Sequence, residues 1–313
     1  MKNLERDQRS VGVTLAALLV LGLGAGGCKT TSSSGQANSS SGNDAMKPVP
    51  RERPGERRAA PSVVGPAAKS FDHAAYDALL KKYVGKQGRV AYRRWMKADA
   101  DSKALAAYLG RLAQADPTGL SREGQKAFWI NAYNAHVLRG VMNKLVGNAK
   151  FSVGDKGFVF FDEVSYSTAG QTLSLNEIEN GILRGDWGHK SLGKTPAPRL
   201  KLIKRWNAGV GRVDPRIHFA LVCASLGCPN LRAGAFTGKD LETQLKADTT
   251  AYINDPAKGA GPKGISALFT WFKKDFQAAG LPPQKFINKY YKSDPQKVLH
   301  TKQLPYSWKL NLQ

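Results

Sequence analysis

The segment "SREGQKAFWINAYNAHVLRGVMNKLVG", residues 121–147, constrains this chain most. Phe128, Leu138, Val141, Met142 and Leu145 recur at the 3.6-residue period of a helix and form one apolar stripe, and Gly147 marks its end. Asn131 and Asn134 lie on or beside that stripe. A buried amide must find partners or cost about 1–3 kcal/mol. The expectation is that both tie down neighbouring loops; the alternative is that one lines a site.

Weaker signals surround this helix. "FDHAAYDALLKKYVG" reads as a helix with Asp72 as N-cap, a Phe71–Tyr76 staple and a stop at Gly85. "RVAYRRWM" reads as a short strand, and "SKALAAYLGRLAQAD" as a helix burying Leu105, Tyr108, Leu109 and Leu112. "FVFFDEVSYS" and "QTLSL" read as two strands around a Gly170 turn, and Ser174-x-x-Glu177 as a capping box opening a helix through Leu183. "RIHFALVCAS" reads as a third strand. Helices follow in "KDLETQLKADTTAYIND", "ALFTWFKKDF" and "LPPQKFINKYY". Strands lying between helix groups predict an α+β class: a helix-rich domain packed on a small, mostly antiparallel sheet.

The N-terminus reads differently. A basic start (Lys2, Arg6, Arg9) precedes the apolar run "VGVTLAALLVLGLGAGG", which stops at Cys28. The run is short for a spanning helix and reads as a secretory signal peptide over residues 1–27. Ala25, Gly26 and Gly27 before Cys28 resemble a bacterial lipobox, although Leu23 stands further from the cysteine than is usual. That resemblance implies acylation of Cys28 and anchoring in a lipid bilayer. Residues 28–69 are Ser/Gly-rich, then Pro/Arg-rich, and read as a disordered tether. Residues 70–313 are left as a single α+β domain. The expected location is the bacterial cell envelope. Lys29, where an aspartate would signal inner-membrane retention, favours the outer membrane, facing the periplasm or the cell surface.

The formal net charge is +23, of which residues 70–313 carry +18. In a cytosolic protein that excess would suggest nucleic acid. Behind a signal peptide it suggests anionic envelope polymers or lipids instead, and no nucleic acid is expected. "GLGAGG" falls in the signal segment, and neither a P-loop nor H-E-x-x-H occurs, so no cofactor is expected. His73 and His300, near the domain's ends, are expected at the surface, as is His189 in a loop.

Several segments taken together resemble a known family. "FWINAYNAHVLRGV", "LSLNEIENGILRG", "DPRIHFALVCASLGCPNLRAGAF" and, more loosely, "LFTWFKKDF" and "LPYSWKLN" are similar, in order, to domain of unknown function 547. That family is found in bacterial envelope proteins and in plants. His136 stands where the family has an apolar residue, and Asn180 where it often has histidine. The resemblance implies a domain identity and no established reaction.

The chemistry concentrates in "IHFALVCASLGCP", residues 217–229. Strand alternation would turn His218 and Cys223 to opposite sides. Cys228, before Pro229, would sit at a helix N-terminus if a helical turn starts there, and its thiol pKa would fall. With His218 as base it would make a nucleophile. Asn131, Asn134, Glu177 and Glu179 could orient the histidine. Glu179 is preferred, because "NEIENGILR" is one of the family-like segments and a carboxylate can accept from His218. This reading is an amide- or peptide-bond hydrolase with a papain- or transglutaminase-like analogy. Three others stay open: a Cys223–Cys228 disulfide in a non-catalytic binding or scaffolding lipoprotein, two inert core thiols, and a metal site. No second cysteine pair is present, so no metal is expected. The spacing is not C-x-x-C, which disfavours a redox protein.

Overall fold

The computed structural model describes residues 69–313. The signal segment, Cys28 and the tether to residue 68 lie outside the described residues.

The order is α1 (Ala74–Tyr83), α2 (Tyr92–Lys97), α3 (Asp99–Gln114), α4 (Arg122–Gly147), the helical turns α5 (Asp155–Phe158) and α6 (Phe160–Glu163), then hairpin strands β1 (Ser165–Thr168) and β2 (Gln171–Ser174). A π-helix (Glu177–Leu183), α7 (Ala197–Val210), a 3₁₀ turn (Pro215–Phe219), α8 (Leu241–Ile253), β3 (Ala260–Gly261), β4 (Gly264–Ile265), α9 (Leu268–Trp271), α10 (Lys273–Ala278) and α11 (Pro283–Tyr290) follow. The class is α+β. The strands form two separate antiparallel hairpins rather than one sheet.

Ser121 caps α4, its Oγ accepting from the Gly124 N–H at 3.0 Å. This helix is buried on nearly every side, not only along the stripe the sequence displays. It packs on α2, α3, α7, β1 and the π-helix. A helix surrounded in this way is a core helix, so polar residues on it must be bonded internally.

The β1–β2 hairpin pairs Ser165 with Ser174 and Thr168 with Gln171. Ala169 and Gly170 form its two-residue turn, both at positive φ (51° and 74°), as the primed hairpin turns require. The Ser174–Glu177 capping box forms reciprocally: the Ser174 N–H donates to Glu177 Oε2 (2.9 Å) and the Glu177 N–H to Ser174 Oγ (3.1 Å). The helix it opens is π-wound, the Arg184 N–H reaching back to the Glu179 carbonyl. Gly181 lets that helix approach α7: a Cβ there would lie 2.6 Å from Ile203 Cγ2.

Four sequence expectations are corrected. "RVAYRRWM" is α2, because Tyr92 and Trp95, three apart, are the residues that bury. "FVFFDEVSYS" is mostly helical turns, and only its last three residues, 165–167, enter β1. Asp72 precedes the cap: His73 is the N-cap of α1, with Asp72 Oδ1 accepting from the Ala74 N–H at 2.8 Å. His73 is buried rather than exposed, its Nδ1 2.7 Å from the Tyr108 hydroxyl.

The fifth correction concerns the site. "RIHFALVCAS" is not a strand but a 3₁₀ turn followed by irregular chain. Asp214 caps the turn, accepting from the Arg216 N–H at 3.0 Å, and Pro215 sits at its first position. The segment runs between two hydrophobic cores. Ile217, Leu221 and Val222 join the larger core around α4, and Phe219 joins a second one with Tyr252, Phe269, Phe276 and Phe286. With apolar neighbours on both sides the sequence reads as a continuous apolar run, which periodicity cannot distinguish from a buried strand.

Candidate functional site

Two amides of α4 hold the chain around the site. Asn134 accepts from the Val222 N–H (2.9 Å) and donates to the Ala220 carbonyl (2.9 Å). Asn131 does the same to both backbone groups of Phe236, at 3.0 and 2.7 Å. Each amide pairs like a strand edge, which is how residues 220–222 satisfy their backbone without a sheet. Asn134 thereby fixes the stretch between His218 and Cys223. Asn134→Leu keeps the volume but strands two buried backbone groups, at about 1–3 kcal/mol each. The expected result is a loss of about 2–5 kcal/mol in urea unfolding; a loss below ~1 kcal/mol would refute the clamp.

His218 is buried and lies flat on Phe272, with ring centroids 3.8 Å apart. Its Nε2 is 2.9 Å from Asp275 Oδ2 on α10. Arg184 donates to the same carboxylate from Nε (2.6 Å) and Nη2 (3.3 Å), and its guanidinium sits 4.9 Å from the Phe272 centroid. It also donates to Asn180 Oδ1. Burial alone would raise the Asp275 carboxyl, but the hydrogen bonds from His218 and Arg184 outweigh it and hold the group at about 2. Burial lowers the His218 imidazole against the pull of Asp275. At neutral pH the pair is therefore carboxylate and neutral imidazole, with the proton on Nε2 facing Asp275 and the lone pair on Nδ1.

Cys223 and Cys228 are joined by a disulfide, with Cα atoms 6.2 Å apart. The Cys223 N–H also donates to Cys228 Sγ at 2.9 Å. Cys228 is 4% exposed, whereas Cys223 is partly exposed. No helix begins at Pro229, so the dipole expected to activate Cys228 is absent from the described chain. Inside the disulfide loop Ala224 takes the left-handed conformation at φ 64°, a strained state for alanine. The C-terminal segment straps this loop: the N–H groups of Leu226 and Gly227 donate to Lys309 and Ser307, and the Asn311 N–H to the Ala224 carbonyl.

Tyr306 from that strap completes the surroundings. Its hydroxyl lies 3.4 Å from Cys223 Sγ and 3.1 Å from Ser225 Oγ. Its ring packs on Trp308 and on Trp271, which is 46% exposed. Glu179, on the π-helix, is partly exposed, and its charge acts on Tyr133, Tyr306, Arg184 and His218. Burial first, then the nearby Glu179 carboxylate, pushes the Tyr133 phenol well up. Glu179 thus stands near both the histidine and Tyr306, but the carboxylate bonded to His218 is Asp275.

Glu177 is buried by its structural bonds, to the Ser174 cap, Thr195 and Arg199. His136 is also buried, 2.7 Å from Thr168 Oγ1. Among the described residues no group of three or more His, Cys, Asp or Glu converges on a metal-sized point.

Sequence reasoning missed Asp275, Arg184, Ser225 and Tyr306. Asp275 had a usable signal: an acidic residue between Phe272 and Phe276 on a short helix must find a partner if that helix buries. Arg184 and Tyr306 join the site only through the fold.

These elements define an α+β domain in which a strapped disulfide loop adjoins a buried His–Asp–Arg cluster. Residues 117–253 match the family model of DUF547, described as a protein of unknown function. The match takes in Asn131, Asn134, Glu179, His218 and both cysteines, while Asp275 and Tyr306 lie beyond it. No curated protein and no solved structure matches the chain.

Proposed function

We propose that this is an envelope-anchored lipoprotein whose domain is a non-catalytic binding or scaffolding module, with Cys223–Cys228 as a structural disulfide. One observation carries the reading: both sulfurs are committed to each other, in a loop strapped by the C-terminal segment. A sulfur in a disulfide is not a thiolate nucleophile. The anchoring half rests on the apolar run ending at Cys28. Cys28→Ser is expected to abolish acylation and release the protein from membranes; unchanged membrane retention would overturn it.

A second reading is a thiol hydrolase of amide or peptide bonds that works only when reduced. It is favoured by the position of Cys223 beside Tyr306 and Ser225, with Glu179 near Tyr306 and His218. Under it the partly exposed Cys223, not the buried Cys228, carries the thiolate.

Iodoacetamide separates the two. The folded, unreduced protein is expected to take no label at Cys223 or Cys228 at any pH until reductant is added. Once the protein is reduced, labelling of both cysteines only at alkaline pH is expected; selective labelling of Cys223 below neutral pH would favour the enzyme, and labelling of either cysteine without reductant would overturn the disulfide itself.

A further inference from the structure

On another face, the 3₁₀ turn of Arg216 borders an open cleft of about 1070 Å³. None of the residues around the disulfide lines it. Seven of its twenty lining residues are Lys or Arg and two are acidic, Asp214 and Glu242. That density of cations is about twice the average over residues 70–313.

Both acids are already committed. Arg216 binds Asp214 (3.0 and 2.7 Å) and Glu242 (2.6 and 2.8 Å) through its whole guanidinium. Arg216 is therefore a structural brace and not a free ligand donor. Arg122, Arg212, Lys246, Lys289 and Lys292 have no carboxylate within ion-pair distance among the described residues.

Lys126 is the most informative of the lining cations. Its side chain is 14% exposed, its nearest carboxylate is Asp214 at 3.9 Å, and its ammonium has no hydrogen-bond acceptor among the described protein atoms. Burial lowers its pKa, against the opposing pull of Asp214. A largely buried lysine whose ammonium meets no described protein acceptor and faces a cleft lined by further cations is favoured by an anion in that cleft. Phe286, Leu281 and Tyr290 supply an apolar wall beside the charges.

We infer that this cleft is a binding site for a ligand bearing at least two phosphate groups, with Lys126 at its base and the unpaired Arg and Lys residues around it. One phosphate would occupy only a small part of the volume and neutralise only part of the charge. Guanidinium groups match phosphate oxygens bidentately, and lysines add point charge. The site could be filled by a bisphosphorylated lipid headgroup or by a free bisphosphate. The inference goes beyond the proposed function and stands whether the disulfide loop is structural or catalytic.

Calorimetry with inorganic pyrophosphate and with orthophosphate tests it, beside co-sedimentation with phosphatidylcholine vesicles containing a bisphosphorylated lipid. The full chain without its first 28 residues is used, with Lys126→Gln, Lys246→Gln and, as an outside control, Lys103→Gln. Pyrophosphate is expected to bind at least tenfold more tightly than orthophosphate, with binding weakened as salt rises. Lys126→Gln and Lys246→Gln are each expected to weaken it at least fivefold at unchanged Tm, and Lys103→Gln not at all. If vesicle binding falls in parallel, the source is a lipid headgroup; if only pyrophosphate binding falls, it is a free bisphosphate. Equal weakening by Lys103→Gln, or no preference for pyrophosphate, would overturn the site. If Lys126→Gln lowers Tm, Lys246→Gln alone decides. Alkylation at Cys223 leaves these outcomes unaffected, so failure here is distinguishable from failure of the disulfide reading.

Discussion

Asp275→Asn is expected to lower stability by about 3 kcal/mol, at the low end of what removing one partner of a buried ion pair costs. The reason is geometric. Asp275 is the shared acceptor of His218 and Arg184, and the Arg184 side chain is only 8% exposed. The amide keeps the shape but removes the charge, leaving the guanidinium with Asp186 at 3.3 Å, itself partly exposed. The cluster also joins the two cores: His218 sits on the segment between them, and α10 contributes Phe276 to the second. For a domain of this size the Tm should fall by roughly 10 °C. Asp99→Asn breaks an exposed pair with Lys103 and should change Tm by about 2 °C or less. Equal effects of the two substitutions would show that the buried cluster is not a stabilising junction.

Steep acid lability is the second expectation. Burial lowers His73 to about 4 and His136 to about 3, and lowers His218 as well. A histidine whose folded pKa lies below its unfolded value binds fewer protons when folded. Its contribution is fully present above the unfolded value near 6.5 and is lost as pH falls below it. Between pH 7.5 and pH 4, His73 and His136 should each cost about 3 kcal/mol. Asp275 adds to this lower down: its depressed carboxyl stabilises above about 3.8, and that contribution fades as pH falls towards 2. The histidine losses together are comparable with the whole stability of an ordinary domain, so unfolding near pH 4 is expected. Urea melts at stepped pH should show this decline, and His136→Gln should flatten it by roughly half between pH 6.5 and 4. A flat profile through pH 5 would mean that these rings are protonated in the folded state.

Local signals and tertiary placement divide cleanly along this chain. The sequence alone determined the long α4 helix, the Gly170 turn, the Ser174–Glu177 capping box and the α+β class, because caps, turns and helical stripes depend on residues within a few positions. The structural role of Asn131 and Asn134 was legible too, since an amide on an apolar stripe has to be bonded. Periodicity failed at "RIHFALVCAS", where burial between two cores erased any exposed face. Only the tertiary structure brought Asp275 and Arg184 to His218, Tyr306 to Cys223 and five unpaired cations to one cleft. These residues lie tens to more than a hundred positions apart, and no local energy links them. Their charges and hydrogen bonds act over a few ångströms, so they acquire a meaning only where the packed cores place them.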